Sequence, residues 1–213
     1  MRKLPVYILV DTSGSMRGEP VESVKVGLEA LFASLTRDAA PGNAVYVSVI
    51  SFDREARLLM PLTSAKRAKL PRVPDPESSP TNLGEALSLL CQRYDLEVRL
   101  GGRGSGNDPA GDFPPFLVVM TDGSPSDTML FEDMIPELGK RRFSRVIGCA
   151  AGPKAKTEPL KKFCGEVVIL ETMDRQAFSK FWNLVSDAVS GAGNEIVPAS
   201  ELPPPPPAPK LSI

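Results

Sequence analysis

The clearest prediction of the fold comes from the ten-residue segment Val6-Tyr7-Ile8-Leu9-Val10-Asp11-Thr12-Ser13-Gly14-Ser15. Its continuous apolar run, residues 6–10, predicts a central strand that is covered on both faces. The acid, the hydroxyls and the glycine that follow predict a tight polar turn where this strand ends. The segment therefore predicts a buried strand with a candidate site at its carboxyl end.

Strands and amphipathic helices alternate along the rest of the chain. Apolar positions spaced by three and four predict a helix over 21–35, and an apolar run predicts a strand over 44–52. A turn at Asp53-Arg54 leads into a shorter strand at 57–60, and so tight a connection permits only an antiparallel hairpin. Later helices are predicted at 83–100, at 127–140 with Asp127 as its cap and a disturbance at Pro136, and around 178–189; later strands are predicted at 116–120, 146–150 and 167–170.

This alternation predicts an α/β fold, doubly wound, with a mostly parallel central sheet of about six strands flanked by helices. The hairpin strand is expected as the one antiparallel strand, at an edge of the sheet. Residues 1–193 are predicted to form this single domain, and residues 194–213 a Pro-rich, disordered tail. A flexible glycine-rich loop is predicted at 101–112, on the side of the sheet away from the carboxyl ends of the strands.

The composition excludes several classes of function. Among 213 residues, 25 Lys and Arg face 26 Asp and Glu, so the basic excess of a nucleic-acid or anionic-membrane binder is absent. The absence of histidine removes Ser-His-Asp and Cys-His catalysis and every His-containing zinc site. Three separated cysteines indicate no disulfide framework, and no apolar run approaches a membrane span, so a cytoplasmic location is expected.

Two strand ends carry candidate metal ligands. Asp11, Ser13 and Ser15 follow the first strand, and Asp122 follows the strand at 116–120. These strands are expected to be neighbours across the switch in strand order, where the two carboxylates would repel unless a cation or proton lies between them. Oxygen ligands match a hard ion, Mg²⁺ first and then Mn²⁺ or Ca²⁺. A coordination position is expected to remain for water or for a carboxylate of a partner.

The pattern Asp11-x-Ser13-x-Ser15 with Thr121-Asp122-Gly123 resembles the metal-ion-dependent adhesion site (MIDAS) of the von Willebrand factor A (VWA) domain. The resemblance covers residues 4–190 and implies a Rossmann-like fold. It implies five residues at the ion: Asp11, Ser13, Ser15, Thr81 and Asp122. Of these, the three hydroxyls would coordinate directly and the two carboxylates directly or through bound waters. Many family members have glycines before the threonine, whereas this chain has Ser78-Ser79-Pro80.

Four segments resemble more narrowly the TerY-type bacterial VWA proteins: 4–7, 49–53, 120–127 and 149–153. Those proteins are stand-alone cytoplasmic members associated with tellurite resistance and chemical stress. The resemblance implies a serine/threonine kinase and a PP2C-type phosphatase as partners. The expected function is a metal-ion-dependent protein–protein interaction, in which an acidic residue of the partner completes the ion site.

Two alternatives remain beside this interpretation. A Mg²⁺-dependent phosphohydrolase or phosphotransferase of haloacid-dehalogenase type would use Asp11 as its nucleophile, but that chemistry needs a carboxylate two residues later, where this chain has Ser13. No nucleophile–base pair remains, so the sequence predicts a protein that is not an enzyme. A scaffold with a purely structural metal is the other alternative, and it predicts that chelation lowers the melting temperature without loss of partner binding.

Overall fold

The computed structural model describes these parts of the chain: residues 2–37, 43–77, 79–99, 101, 111–153 and 155–194. Within them lie six strands: β1 (Arg2–Asp11), β2 (Asn43–Phe52), β3 (Ala56–Ser64), β4 (Phe116–Thr121), β5 (Arg145–Ala151) and β6 (Glu166–Leu170). Five α-helices accompany them: α1 (Glu19–Arg37), α2 (Leu83–Glu97), α3 (Thr128–Gly139), α4 (Glu158–Lys161) and α5 (Arg175–Asn194). A 3-10 turn at Gly14–Met16 follows β1.

The strands form one sheet in the order β3-β2-β1-β4-β5-β6. All neighbouring strands are parallel except β2 and β3, which form an antiparallel pair at one edge. This arrangement confirms the predicted α/β fold with a mostly parallel sheet. The chain builds outward from β1 in one direction and from β4 in the other, so the switch point lies at the carboxyl ends of these two strands.

Strand β1 is buried on both faces because it lies in the middle of the sheet. Residues 4–11 are all buried. Val6 and Ile8 belong to the core that includes residues of α1 and α5, whereas Tyr7 and Leu9 belong to the core that includes residues of α2 and α3. Since successive side chains of a strand point to opposite faces, one apolar run serves both cores.

Several predicted boundaries were wrong, among them the ends of β3 and α2. Strand β3 extends to Ser64, beyond the predicted end at Met60, because its pairing with β2 continues as far as Tyr46. Helix α2 ends at Glu97 and not at residue 100, since the next residue, Val98, has an extended backbone. Neither difference moves the carboxyl ends of β1 and β4.

The helices of the described residues flank the sheet. Within this part of the chain, no helix combines the length and the hydropathy of a transmembrane span.

Helix α3 runs without interruption through Pro136 to Gly139, so the predicted disturbance does not divide it. A proline inside a helix removes one backbone donor. Here the proline is exposed and lies in the last turn, so only three more residues of the helix follow it.

Two predicted segments lie largely outside the described residues. Of the glycine-rich loop at 101–112, the structure describes only the ends. The backbone N–H of Asp112 donates to the carbonyl of Arg99 at 2.8 Å, and the Asp112 carboxylate accepts from the Arg99 N–H at 2.9 Å. The loop therefore starts and finishes at one place, on the amino-terminal side of β4. The tail predicted at 194–213 lies outside the described residues from 195 onward.

Helices α1 and α5 are in close contact at Gly27. A Cβ atom on Gly27 would lie 1.9 Å from Cδ1 and 2.1 Å from Nε1 of Trp182. Trp182 is only 1% exposed, so its ring has no solvent to move into. The tryptophan of α5 therefore fills the space that a side chain on α1 would need.

We expect Gly27→Ala to lower the free energy of unfolding. Overpacking a filled core costs about 1–3 kcal/mol, which exceeds the gain of about 1 kcal/mol that Ala has over Gly inside a helix. Urea unfolding followed by the fluorescence of Trp182, the only tryptophan, measures the loss at the contact itself. Gly191→Ala is the control, because nothing lies within 4 Å of a Cβ atom there. Unchanged stability of Gly27→Ala would contradict the packing described.

Candidate metal centre

The order of the sheet brings Asp11 and Asp122 to the same edge. Asp11 is the last residue of β1, and Asp122 directly follows β4, the strand paired with β1. The Ser15 hydroxyl donates to Oδ1 of Asp122 at 2.8 Å. The Thr121 hydroxyl donates to Oδ2 of Asp11 at 2.6 Å. Asp122 is thus bonded to the turn after β1, and Asp11 is bonded to the last residue of β4, so the two strand ends are joined.

The turn after β1 holds its serines beside the carboxylates. The backbone N–H of Ser13 donates to Oδ1 of Asp11 at 2.8 Å, which folds the turn back over the strand end. The hydroxyl oxygens of Ser13 and Ser15 lie 3.2 Å apart. Met16, which is fully buried, anchors the end of the turn in the core. Ser13, Ser15 and Asp122 therefore form a continuous row of oxygen atoms.

Thr81 lies beside the loop of Asp122 and belongs to the segment that precedes α2. Its hydroxyl oxygen lies 3.4 Å from the position that a Cβ atom on Gly123 would occupy, so it is next to the residue that follows Asp122. Thr81 is 8% exposed. All five residues predicted from the sequence thus lie at one edge of the sheet: Asp11, Ser13, Ser15, Thr81 and Asp122.

The electrostatics of this edge favour a bound positive charge. Asp11 is fully buried, and burial raises its pKa to about 6. Burial also raises the pKa of Asp122. No salt bridge to either carboxylate forms within the described part of the chain. Two desolvated acids without a cationic side chain are unfavourable in their ionised form, and a divalent cation between them would compensate both.

The ligand types fit a hard ion. Across the described residues there is no group of three or more His, Cys, Asp and Glu side chains that could hold a metal. The edge supplies two carboxylates and three hydroxyls instead, a set of neutral and anionic oxygens suited to Mg²⁺, Mn²⁺ or Ca²⁺. A cation held there would attract an anionic oxygen from outside the domain.

Asp127 does not have the role that the sequence predicted. It directly precedes α3, yet its side chain makes no capping bond to that helix. Its Oδ1 accepts from the backbone N–H of Gly84 at 3.1 Å, and its Oδ2 accepts from that of Glu85 at 2.8 Å. The carboxylate caps α2, because the residue before α2, Asn82, directs its side-chain amide to the Arg54 carbonyl at 2.8 Å. An acid before a helix signals a cap, but the sequence alone does not say which helix receives it.

Two further residues support the site and were not predicted as part of it. Thr121 was recognised in the motif, but the structure shows that its hydroxyl bonds the buried carboxylate of Asp11. Gly84 allows α2 and α3 to approach closely, since a Cβ atom there would lie 2.5 Å from the backbone N of Phe131. A glycine early in a predicted helix was the only available signal for this contact.

The fold is shared with solved structures of low sequence identity. The proximal thread matrix protein 1 of the mussel byssus, with a zinc-occupied MIDAS motif, matches with a TM-score of 0.61 and 18% identity over 89% of this chain and 48% of its own. The pilus adhesin SpaC of Lactobacillus rhamnosus GG matches with a TM-score of 0.65 and 12% identity over 90% of this chain and 30% of its own. BatB of Bacteroides thetaiotaomicron matches with a TM-score of 0.56 and 14% identity over 90% of this chain and all of its own.

These likenesses show the fold. The chain spans about half the length of the thread protein and less than a third of the adhesin. No curated protein sequence matches the chain significantly. The family model of the von Willebrand factor type A domain matches residues 6–180, and the chain therefore belongs to this family.

Proposed function

We propose that the domain is a metal-ion-dependent protein–protein interaction module. Its cation would be held by Asp11, Ser13, Ser15, Thr81 and Asp122. One observation carries the proposal: the buried Asp11 and the half-buried Asp122, which form no salt bridge within the described residues, are joined through Ser15 and Thr121 at the carboxyl edge of the sheet. Mg²⁺ is the first candidate because the donors are all hard oxygens, and Mn²⁺ and Ca²⁺ are the alternatives.

The depth of the ligands supports an ion that is open on one side. Asp11 and Ser13 are buried, whereas Asp122 is half-buried and Ser15 is exposed. The domain would therefore bind the ion on the side that faces the protein interior and leave the opposite side open to solvent. An acidic side chain of a partner can complete the coordination there.

The environment of Asp11 favours this function over phosphoryl transfer. One of its oxygens accepts from Ser13 and the other from Thr121, and the side chain is fully buried. A nucleophilic carboxylate must reach its substrate, and position 13 offers a hydroxyl where a general acid would be needed. The proposal is accordingly that the protein is not an enzyme.

Similar proteins support two parts of the proposal: the divalent cation and the biological setting. The zinc-occupied MIDAS motif of the mussel thread protein supports a divalent cation in a site of this kind. The four segments that resemble TerY-type proteins support a cytoplasmic role in a bacterial tellurite-resistance or stress-response system, with a serine/threonine kinase and a PP2C-type phosphatase as partners. We further propose residues 1–193 as the interacting domain and residues 194–213 as its tail.

A pull-down with and without chelator tests the proposal. We expect immobilised domain to capture its partner in Mg²⁺, to release it in EDTA, and to recapture it when excess Mg²⁺ is restored. Asp122→Ala should fail to capture the partner in Mg²⁺. Capture that survives EDTA, while EDTA lowers the melting temperature, would instead indicate a purely structural metal.

A second assay addresses catalysis. The proposal predicts no Mg²⁺-dependent hydrolysis of p-nitrophenyl phosphate above the rate of the buffer. Hydrolysis that is lost in Asp11→Asn would refute the proposal and establish the phosphotransferase alternative.

A further inference from the structure

We infer that Ser126 and Asp127 form a clamp that sets the cation affinity of the site without contacting the cation. The clamp holds Thr81 at a fixed position relative to Asp122. This inference rests on the proposed function, since it concerns the same metal centre. It assigns positioning roles to two residues that lie outside the MIDAS pattern.

The first half of the clamp is a reciprocal pair of hydrogen bonds. The backbone N–H of Ser126 donates to the carbonyl of Thr81 at 2.8 Å, and the Ser126 hydroxyl accepts from the backbone N–H of Thr81 at 3.1 Å. Both polar groups of the Thr81 backbone are therefore bonded to a single residue. The two residues lie 45 positions apart in the chain, so the contact joins separate segments.

The second half is the carboxylate of Asp127 at the start of α2. Its two oxygens accept from the N–H groups of Gly84 and Glu85, three and four residues after Thr81. A negative charge at this end of a helix is favoured both by the free N–H groups and by the helix dipole. The helix that begins just after Thr81 is thereby attached to the loop that carries Asp122.

The clamp matters for the ion because the candidate ligands lie on separate segments. Asp122 and the clamp belong to one short loop, in which the N–H of Gly123 also donates to the Thr121 hydroxyl at 3.2 Å. If the Thr81 segment were free to move, cation binding would have to order it, and that ordering would reduce the affinity. Residues that orient metal ligands without touching the metal typically change metal affinity by about 10- to 100-fold when they are replaced.

The Thr81 segment also has an independent attachment. The backbone N–H of Asn82 donates to the carbonyl of Asp53 at 2.8 Å, and its side-chain amide donates to the carbonyl of Arg54. Removal of the clamp should therefore leave α2 attached to the β2–β3 turn. The domain is expected to stay folded while Thr81 loses its fixed position.

Mn²⁺ titration of the full chain, followed by electron paramagnetic resonance, tests the clamp. We expect Asp127→Ala to bind Mn²⁺ about 10- to 100-fold more weakly than the unaltered protein. Asp127→Asn, which keeps an acceptor oxygen, should recover part of the affinity. Ser126→Ala, which keeps the cap on α2 and removes only the hydroxyl that accepts from Thr81, should weaken Mn²⁺ binding by a smaller factor.

The matched control is Asp174→Ala. Asp174 directly precedes α5, and its carboxylate accepts from the N–H of Ala177 at 2.9 Å, within that helix's own first turn. Asp127→Ala and Asp174→Ala should lower the melting temperature in EDTA to a similar extent, but only Asp127→Ala should lose Mn²⁺ affinity.

The outcomes separate this inference from the proposed function. Equal Mn²⁺ affinity of Asp127→Ala and the unaltered protein would overturn the clamp and leave the metal site intact. If Asp127→Ala does not fold, the Mn²⁺ affinities of Asp127→Asn and Ser126→Ala are compared with that of the unaltered protein. Equal affinity in both variants would overturn the clamp. Failure of the unaltered protein to bind Mn²⁺ would overturn the proposed function, and the clamp with it.

Discussion

Asp11→Asn is expected to abolish the stabilisation of the domain by Mg²⁺ while leaving its melting temperature in EDTA as high as before, or higher. Burial raises the pKa of Asp11 to about 6, so at neutral pH the folded domain contains a desolvated charge. Because the folded-state pKa lies above its ordinary value of 3.8, the metal-free fold loses stability as the pH rises from about 3.8 to about 6, where the unfolded chain releases this proton more readily than the folded one. The loss amounts to at most about 3 kcal/mol.

The amide can form both local hydrogen bonds, with the direction of the bond to Thr121 reversed, and it removes the charge. Its oxygen can accept from the N–H of Ser13, and its NH₂ can donate to the hydroxyl oxygen of Thr121. A cation, in contrast, gains most of its binding energy from the carboxylate, and a two-carboxylate site that becomes a one-carboxylate site no longer balances a divalent charge. In Asp11→Asn the stability of the metal-free domain should therefore be kept or increased, whereas the additional stability conferred by Mg²⁺ should be lost.

Thermal unfolding in EDTA and at several Mg²⁺ concentrations measures both quantities. The unaltered protein should gain melting temperature with Mg²⁺, as expected for a ligand that binds only the folded state. Asp112→Asn is the control: this acid bonds the Arg99 backbone at the amino-terminal side of β4, away from the candidate metal centre, and the Mg²⁺ response should persist. A full Mg²⁺ response in Asp11→Asn would show that Asp11 is not part of the site.

Gly84→Ala is expected to reduce both stability and cation affinity. The added Cβ atom would lie 2.5 Å from the backbone N of Phe131 and 2.7 Å from Oδ2 of Asp127. Backbone atoms cannot rotate away as a side chain can, so α2 must move away from α3. Overpacking of this kind costs about 1–3 kcal/mol. The same movement would displace Thr81, which lies three residues before Gly84.

Urea unfolding in EDTA and Mn²⁺ titration measure the two effects of Gly84→Ala separately. Gly139→Ala provides the control, because it also alters a glycine of the α2–α3 region but has open space around its Cβ position. That variant should keep both its stability and its Mn²⁺ affinity. A Gly84→Ala variant with unchanged Mn²⁺ affinity would show that Thr81 is not displaced by the separation of the helices.

The sequence was sufficient to predict the centre of the fold and the edge of the sheet at which Asp11 and Asp122 meet. A continuous apolar run followed by Asp11 indicates a strand buried on both faces, and a second such strand before Asp122 indicates its neighbour. Parallel strands in a doubly wound sheet then bring both acids to one edge. These inferences need only the local pattern and one rule of chain topology, which is why the structure confirms the predicted sheet.

The contacts that support the site could not be predicted in the same way. Asp127 has the local signature of a cap for α3, but it caps α2 because the two helices lie side by side in the folded chain. Gly27 and Gly84 are needed for close approach to Trp182 and to the backbone of α3, and such distances exist only after packing. Local patterns specify elements, whereas the partner of a side chain depends on which elements become neighbours.

The contact between the two strand ends has a consequence for how the domain comes apart. Thr121 and Asp11 are 110 positions apart in the chain, yet they meet at the seam between the half of the sheet formed by β1–β3 and the half formed by β4–β6. A cation held on both sides of that seam would act as a reversible cross-link closing a very long loop. If this cross-link forms only after the folding transition state, it chiefly lowers the rate of unfolding. Metal binding would then set the lifetime of the folded domain under heat, under proteolysis, or under force applied through a bound partner.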